Sequence, residues 1–307
     1  MSAGRPWKRS RASAAAAGAA EPRLDRRGAL AALAGAGAAL ALPRAATAAS
    51  WPIWWSWKFE AMPSLDGCGL SFVRTLPPIY MFPKDSDRTE PDLDFVRRHA
   101  VEEIRKRGHE RVILNIEHWD EVTEIDKYVA VARVVKEELP SVRIGYYSIV
   151  PNREYYALQK DFGPKLEAWQ EKNAHLRKLA DAVDDIYPSL YTFFPDVEGW
   201  KRYATKMIAA ARTYGKPVYP YLWMQYHDSN RREGLQIIDG AFWRTQLELV
   251  RGQADGVVIW GTLAPRQRRP GETDRPRLRW DPDAPWWRET KAFAAAQGYA
   301  TDGCADR

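Results

Sequence analysis

A run of apolar residues near the middle of the chain ends in side chains that could do acid–base chemistry. The stretch RVILNIEHWDE, residues 111–121, has the composition of a buried strand and places Asn115 two residues before Glu117. Side chains two residues apart on a strand point to the same face of the sheet. A carboxyl group that is partly desolvated keeps its proton near neutral pH, as a general acid must. The pair therefore predicts a site with Glu117 at its mouth and Asn115 beside it. His118 falls on the opposite face and is predicted to pack under the helices.

Tyrosine and tryptophan side chains lie near the ends of four other predicted strands. A carboxyl group enclosed by phenols and indoles suits a sugar, because aromatic rings stack on its apolar faces and hydroxyl groups orient its oxygen atoms. Taken alone, Glu117 is explained as well by a structural ion pair and each ring by core packing. The prediction therefore depends on five strand ends converging. The candidate substrate-binding residues are Tyr147, Tyr191, Tyr221, Trp223 and Trp260.

Short apolar strands alternate along the chain with longer segments of helical periodicity, as in parallel α/β folds. We predict a (β/α) barrel of the triosephosphate-isomerase type, distorted and with seven or eight strands. An open doubly wound sheet is the alternative, and in both folds ligands bind at the C-terminal ends of the strands. The predicted strands are 53–59, 78–82, 111–119, 142–150, 185–193, 217–225 and 256–261. The predicted helices are 92–107, 124–138, 165–183, 196–214, 242–253 and 285–297.

Residues 1–48 are predicted to be an export signal rather than part of the fold. The pair Arg26-Arg27 precedes an apolar stretch, residues 28–42, and residues 46–48 fit the small-residue site of a signal peptidase. The arginine pair favours the twin-arginine route, to the periplasm or out of the cell. An uncleaved membrane anchor is the alternative, but the apolar stretch is too short and too weakly apolar to span a bilayer. Residues 49–307 then form a single catalytic domain, with no stable membrane insertion after cleavage.

Charge and residue spacing argue against several kinds of partner and cofactor. The whole chain carries a formal charge of +6, but the predicted leader holds eight of its 46 basic and two of its 40 acidic residues, which leaves 38 of each. No attraction to nucleic acid is therefore expected. The histidines and cysteines show no metal-ligand spacing, and no G-x-G-x-x-G follows a predicted strand. We expect a monomer without a metal or another cofactor.

The two cysteines, Cys68 and Cys304, lie near the two ends of the predicted domain. In an exported protein an even number of cysteines favours pairing. A bridge over this separation would stabilise the fold by about 5 kcal/mol in the chain-entropy model. Two unpaired thiols are the alternative.

Five segments of predicted strands and the residues that follow them are RVILNIEHW, RIGYYSIVP, DIYPSLYTFF, KPVYPYLWMQYHD and ADGVVIWGT. These segments resemble the strand motifs of the hyaluronidase family of glycoside hydrolases, of which the chain looks like a divergent bacterial member. They occur in the family's order and cover most of residues 78–261. The resemblance implies a (β/α) barrel and retaining cleavage of a β-linked N-acetylhexosamine polysaccharide or oligosaccharide. It also implies a substrate-assisted mechanism, in which the 2-acetamido group of the substrate is the nucleophile instead of a second protein carboxylate.

The resemblance also implies roles for single residues, with Glu117 as the acid/base. The family has an aspartate two residues before this glutamate, where the sequence has Asn115. An amide carries no negative charge to stabilise a positive oxazolinium intermediate. An Asn-x-Glu pair is nevertheless known from endo-β-N-acetylglucosaminidases, where the amide orients the acetamido group. The resemblance places Tyr191 and Trp260 around the acetamido group and Tyr147 and Tyr221 elsewhere in the cleft.

The substrate and the chemistry both have alternatives. Asp120 and Glu121 follow the motif where the family tends to have basic residues, so a neutral N-acetylated glycan or a cell-wall fragment is predicted as readily as hyaluronan. A non-catalytic glycan-binding protein on the same barrel is a second reading, with Asn115 as the sign of lost chemistry. A third is a hydrolase with two protein carboxylates, in which the partner of Glu117 is Asp120, Glu121, Asp196 or Asp228.

Overall fold

Short runs rich in β-branched and aromatic residues form the strands, since such side chains fit a pleated and buried surface. The named strands all pair in parallel. In this computed structural model the described residues are 51–304 apart from 57–58, 66, 161–162, 262, 265–275 and 302, so the predicted export signal lies outside them. The strands are β1 (Ile53–Trp55), β2 (Ser71–Phe72), β3 (Arg74–Leu76), β4 (Arg111–Leu114), β5 (Arg143–Tyr146), β6 (Tyr221–Trp223) and β7 (Val257–Trp260).

The strand pairings run round a closed barrel. β1 lies between β2 and β7, β7 also pairs with β6, and β4 lies between β3 and β5. β2 and β3 form one extended stretch, because Val73 between them donates its N–H to the carbonyl of Trp55 at 3.0 Å. Residues 186–192 fill the remaining position through parallel bridges to the end of β5 and to β6. The described residues thus supply seven strand positions, and the arrangement agrees with a barrel rather than an open sheet.

The predicted strand at residues 78–82 is wrong. Pro78–Tyr80 is a 3₁₀ helix, and β2 and β3 take the second position in the barrel instead. Proline has no N–H to donate to a strand ladder, and two prolines, Pro77 and Pro78, adjoin at this point. The apolar residues that follow, Met81 and Phe82, pack into the core between β3–β5 and the helices.

Segments with one apolar face form the helices, and an aspartate caps some of them. Asp92 accepts a hydrogen bond from the N–H of Phe95 at 2.8 Å and begins the first of them, which contains a π-helical turn at Arg97–Val101. Gly108 ends it with a φ of 63°. Predicted helix 165–183 is two helices in the structure, and Tyr155–Lys160 is an additional one. The helices are α1 (Leu93–Val96), α2 (Glu102–Arg107), α3 (Ile125–Glu138), α4 (Tyr155–Lys160), α5 (Gly163–His175), α6 (Arg177–Ala182), α7 (Val197–Arg212), α8 (Gly240–Gln253) and α9 (Pro285–Ala296).

An ion-pair cluster occupies the N-terminal end of the barrel. Asp185 is fully buried and forms ion pairs with Arg111 and Arg143, which begin β4 and β5. The guanidinium of Arg111 also lies over the rings of Trp54 and Tyr219, at 4.6 and 5.0 Å from their centroids. A buried carboxylate is tolerated here because two cations compensate its charge.

A disulfide joins the two ends of the described chain. Cys68 and Cys304 are bonded, with their Cα atoms 4.8 Å apart and a sequence separation of 236. This confirms the pairing that the even cysteine count favours. The described residues belong to one compact unit, and they contain no apolar helix of the length that a bilayer requires.

Candidate active site

All seven residues that the sequence singles out for chemistry or substrate binding line one cavity. The cavity has a volume of about 190 Å³ and lies at the C-terminal ends of the strands. This is the end of a (β/α) barrel at which ligands bind, because loops from different strands meet there. The candidate residues in its lining are Asn115, Glu117, Tyr147, Tyr191, Tyr221, Trp223 and Trp260.

Glu117 lies at the mouth of the cavity and is exposed. The prediction that burial partly desolvates its carboxyl group is therefore wrong for the protein without substrate. The cause is local, because β4 ends at Leu114 and the ladder continues for only one more residue, where the N–H of Asn115 donates to the carbonyl of Leu76 at 3.0 Å. Beyond that hydrogen bond the backbone no longer holds Glu117 inside the barrel.

The strict alternation predicted for residues 111–119 also ends there. Trp119, predicted on the cleft face, is buried and donates its indole N–H to the carbonyl of Arg88 at 2.8 Å. His118, predicted to pack under the helices, is exposed, with its Nε2 atom 2.7 Å from the guanidinium of Arg88. Neither lines the cavity that holds Glu117. Both departures follow from the chain leaving the sheet after Asn115.

Asn115 brings a buried acceptor into the cavity. Its side-chain Oδ1 atom is buried and has no hydrogen-bond partner among the described residues. A buried polar atom without a partner costs free energy, so such atoms in folded proteins are commonly satisfied by a ligand or water. The cavity thus offers one acceptor, suited to an N–H group, beside the carboxyl group of Glu117.

Three aromatic rings form one wall of the cavity. The rings of Tyr191 and Trp260 are stacked, with centroids 5.7 Å apart and an interplanar angle of 17°. Trp223 meets both edge-on, and its indole N–H donates to the Oε1 atom of buried Gln225 at 3.0 Å. The Gln225 amide in turn donates to two backbone carbonyls, which fixes the indole. Such a wall presents the flat apolar surface on which a sugar ring stacks.

Tyrosine hydroxyls line the deeper part of the cavity. Burial raises the pKa of Tyr147 to about 12 and that of Tyr191 well above its ordinary value. Both phenols are therefore protonated near neutral pH and can donate a hydrogen bond. The hydroxyl of Tyr221 lies 2.6 Å from that of Thr75, which lies 2.6 Å from that of Ser56.

Sequence reasoning missed three polar residues that line the same cavity. Thr75 lies on β3, which was not predicted, whereas the other two follow the ends of predicted strands. Burial lowers the pKa of His227, Asp228 raises it, and the charge of Arg153 lowers it further. The sequence signal that could have found Arg153 and His227 is their position, because residues just after a strand reach the C-terminal end of a barrel. The three residues are Thr75, Arg153 and His227.

Three of the four carboxylates considered as partners of Glu117 are held by contacts outside the cavity. Asp120 accepts hydrogen bonds from the backbone of Val122 and Thr123. The carboxylate of Glu121 accepts a hydrogen bond from the Asn152 amide, and burial raises its pKa. Asp196 caps α7. Asp228, by contrast, lines the cavity with Glu117.

The cavity continues into a wider groove. A second cavity, of about 640 Å³, shares Thr75, Asn115 and Trp260 with the first. Its walls include Trp55 and Phe72, whose ring centroids are 4.8 Å apart, and Phe72 is 47% exposed. Exposed rings beside a sugar-sized cavity extend the surface available for stacking. In the described part of the chain no group of three or more His, Cys, Asp or Glu side chains could hold a metal ion.

The fold is that of (β/α)-barrel glycoside hydrolases. The structure is similar to bee venom hyaluronidase, with a TM-score of 0.51 over 69% of this chain and 91% of that chain at 15% sequence identity. Two other glycoside hydrolases have lower TM-scores. For a glycoside hydrolase family 39 β-xylosidase from Caulobacter crescentus the TM-score is 0.44, at 20% sequence identity, over 74% of this chain and 55% of that chain. For a thermostable mutant of a xylanase from Cellvibrio japonicus the TM-score is 0.42, at 10% sequence identity, over 80% of this chain and 98% of that chain.

The comparisons confirm the predicted fold class. No protein-family model and no curated protein matches the sequence. At such low identity, structural similarity shows a shared fold and not a shared activity. The resemblance to hyaluronidases remains a prediction, and so do the roles of the residues in the cavity.

Proposed function

We propose that the protein is an exported, retaining glycoside hydrolase that cleaves a β-linked N-acetylhexosamine glycan with the help of the substrate's own acetamido group. The observation that carries this proposal is that Glu117 and Asn115 line one cavity with three tyrosines and two tryptophans. The rings suit a sugar, and the carboxyl group suits proton transfer to a glycosidic oxygen. The hyaluronidase-like specificity rests on the sequence motifs alone.

Glu117 is the acid and then the base of the proposed reaction. In the first step its proton moves to the glycosidic oxygen while the bond between that oxygen and the anomeric carbon breaks. The acetamido oxygen forms a bond to the anomeric carbon and gives a positive oxazolinium ion. In the second step the Glu117 carboxylate takes a proton from the water that attacks the anomeric carbon, which restores the acetamido group with net retention.

Substrate binding itself supplies the desolvation that Glu117 lacks in the free protein. A sugar that fills the cavity removes water from around the exposed carboxyl group, and desolvation favours its protonated form. The proton is thus held in the complex, where the general acid needs it. This explains how an exposed glutamate can serve as the acid.

Asn115 orients the acetamido group. Its unpartnered Oδ1 atom accepts a hydrogen bond from the acetamido N–H, which turns the acetamido oxygen towards the anomeric carbon. Orientation of a nucleophile lowers the barrier of the chemical step, because the nucleophile has already lost its rotational freedom when the substrate binds. Tyr191 and Trp260, stacked on each other, enclose the acetamido methyl side.

The glycan is longer than one sugar. The groove past Trp260 and Asn115 adds Trp55 and Phe72 as further stacking surfaces, which supports cleavage within a chain. The acidic flank Asp120-Glu121 does not line the cavity, so it gives no reason to prefer a neutral substrate. Neutral N-acetylated glycans, cell-wall fragments and hyaluronan all belong in the first screen.

The test is to assay these glycans with the wild-type protein and the Glu117→Gln variant. We expect reducing ends from the wild-type protein and a loss of at least about 100-fold in kcat/KM for the variant, because the glutamine has no proton to donate. Glu124→Gln is the matched control, since Glu124 is an acidic residue outside the cavity. Activity of Glu117→Gln within a few fold of wild type contradicts the assignment. Binding without turnover in both forms instead indicates the glycan-binding alternative.

A further inference from the structure

We propose that Tyr156 and Phe194 form a second sugar-binding platform, across the mouth of the barrel from the groove that contains Trp55 and Phe72. This inference rests on the proposed function. The glycan then runs across the mouth, with sugars bound on both sides of the bond that is cleaved. The substrate class is thereby narrowed to linear chains that are cut at an interior linkage.

The two rings of the platform are exposed and adjacent. Tyr156 is 52% exposed and Phe194 is 37% exposed, and their ring centroids are 6.1 Å apart. In the part of the chain that the structure describes, four large apolar side chains are exposed, and the other two are Phe72 of the groove and the aliphatic Ile79. Adjacent aromatic rings that water can reach offer a flat surface on which the apolar face of a sugar stacks.

The position of the platform in the barrel is opposite to that of the groove. Tyr156 belongs to α4, which follows β5, and Phe194 follows residues 186–192, which pair with the end of β5. Trp55 and Phe72 belong to β1 and β2, which lie on the other side of the ring of strands. The cavity lies between the two aromatic surfaces, so one extended glycan can contact both while it occupies the cavity.

A series of ring contacts connects the platform with the cavity. His227, which lines the cavity, stacks on Phe193 with ring centroids 4.3 Å apart. The centroid of Phe193 lies in turn 4.8 Å from that of Tyr155. The ring of Tyr155 lies 5.6 Å from that of Tyr156 and 6.0 Å from that of Phe194, again between centroids. The platform is therefore continuous with the site of the proposed chemistry.

The backbone and the residue beneath the two rings are held in place. Tyr155, which contacts both rings, is buried and meets Tyr203 of α7 edge-on at 4.9 Å between centroids. The side-chain amide of Gln159 donates to the carboxylate of Asp196 at 2.6 Å, which ties α4 to the start of α7. The N–H of Asp196 donates to the carbonyl of Phe194 at 2.8 Å. A surface that is already ordered loses little entropy when a ligand binds to it.

Oligosaccharides of increasing length test the inference, from the disaccharide to the decasaccharide of hyaluronan and of β-linked N-acetylglucosamine. In the double variant Tyr156→Ala with Phe194→Ala, we expect the ratio of kcat/KM for the longest to that for the shortest cleaved substrate to fall at least about tenfold. The reason is that stacking stabilises only a chain that reaches the platform.

The matched control is Tyr156→Phe with Phe194→Tyr, which keeps both rings and should keep the ratio within about twofold of wild type. An unchanged ratio in the alanine double variant overturns the inference, and so does an equal fall in the control. Thermal unfolding verifies that both double variants are folded.

Binding measurements separate failure of the inference from failure of the proposed function, because calorimetric titration with the same oligosaccharides needs no turnover. If the alanine double variant binds the long oligosaccharides at least about tenfold more weakly than wild type and none is cleaved, the platform stands and the hydrolase assignment falls. If the wild-type protein cleaves them but neither affinity nor kcat/KM depends on the two rings, the inference falls and the assignment of Glu117 stands. If no oligosaccharide is bound or cleaved, both fall.

Discussion

At the scale of single residues, Gly261 leaves the space that the indole of Trp223 occupies in the aromatic wall of the cavity. It follows Trp260 directly and has a φ of 114°, in the region that favours glycine. A Cβ atom built at this position would overlap the indole ring of Trp223. The indole of Trp223 can therefore take its edge-on position against Trp260 only because residue 261 has no side chain.

Replacing this glycine tests the packing of the wall. We expect Gly261→Ala to lower the free energy of unfolding by about 2–5 kcal/mol, from backbone strain and overlap with Trp223 together. Urea unfolding followed by tryptophan fluorescence measures the change. Gly252→Ala is the matched control, because Gly252 lies in α8 with open space around its Cα, and there alanine should stabilise by about 0.5–1 kcal/mol. Equal effects at the two glycines would contradict the packing described here.

At the scale of elements, the two ends of the barrel have different tasks. The C-terminal ends of the strands carry the cavity, whereas the N-terminal ends carry Asp185 with Arg111 and Arg143. Stability and chemistry are thus placed at opposite ends of the same strands, as is usual for this architecture. A substitution in the ion-pair cluster therefore removes no residue that lines the cavity, and its effect on stability can be measured separately from its effect on substrate binding.

Asp185→Ala tests this division. We expect it to destabilise the protein by about 3–5 kcal/mol, because two arginines lose the buried carboxylate that compensates them. In the fraction that stays folded, KM for a glycan substrate should remain within a few fold of wild type. Asp181→Ala is the control, since its pair with Arg177 is exposed and contributes less than about 1 kcal/mol. If Asp185→Ala lowers the free energy of unfolding by less than about 1 kcal/mol, the buried carboxylate does not stabilise the two arginines as described.

At the scale of the whole molecule, one covalent bond joins the beginning and the end of the barrel domain. The Cys68–Cys304 disulfide closes a loop of 236 residues, for which the chain-entropy model gives about 5 kcal/mol of stabilisation. Disulfides persist in oxidising compartments and are rare in the cytosol. The bond therefore supports the proposed export, which otherwise rests on the sequence of residues 1–48.

Export itself is tested by changing the arginine pair, Arg26→Lys together with Arg27→Lys. If the pair directs the twin-arginine route, the variant should stay in the cytoplasm, keep residues 1–48 and carry reduced Cys68 and Cys304. Intact mass and thiol labelling read out both properties. The wild-type protein should begin near Ala49 and be oxidised, and a variant processed like wild type would argue against this route.

Much of the fold and of the site is determined locally and could be predicted from sequence. Alternating apolar strands and helices predict a parallel barrel because each element has its own period and must bury its apolar side. The same reasoning selects Asn115, Glu117 and the five aromatic residues, since residues at strand ends meet at one end of a barrel. It fails at residues 78–82, where apolar composition resembles a strand but adjoining prolines cannot join a ladder.

Only the tertiary structure decided where each strand ends and what faces the cavity after it. The alternation that places Glu117 inside the barrel holds only while β4 has a neighbour to pair with, and that pairing stops at Asn115. Arg153 and His227 have no periodic signal, because loops are positioned by contacts with other parts of the chain. The N–H of His227, for example, donates to the carbonyl of Thr192 at 2.8 Å. The sequence by itself determined which residues can do the chemistry. Long-range contacts decided how exposed Glu117 is to solvent and which of the candidate carboxylates lines the same cavity.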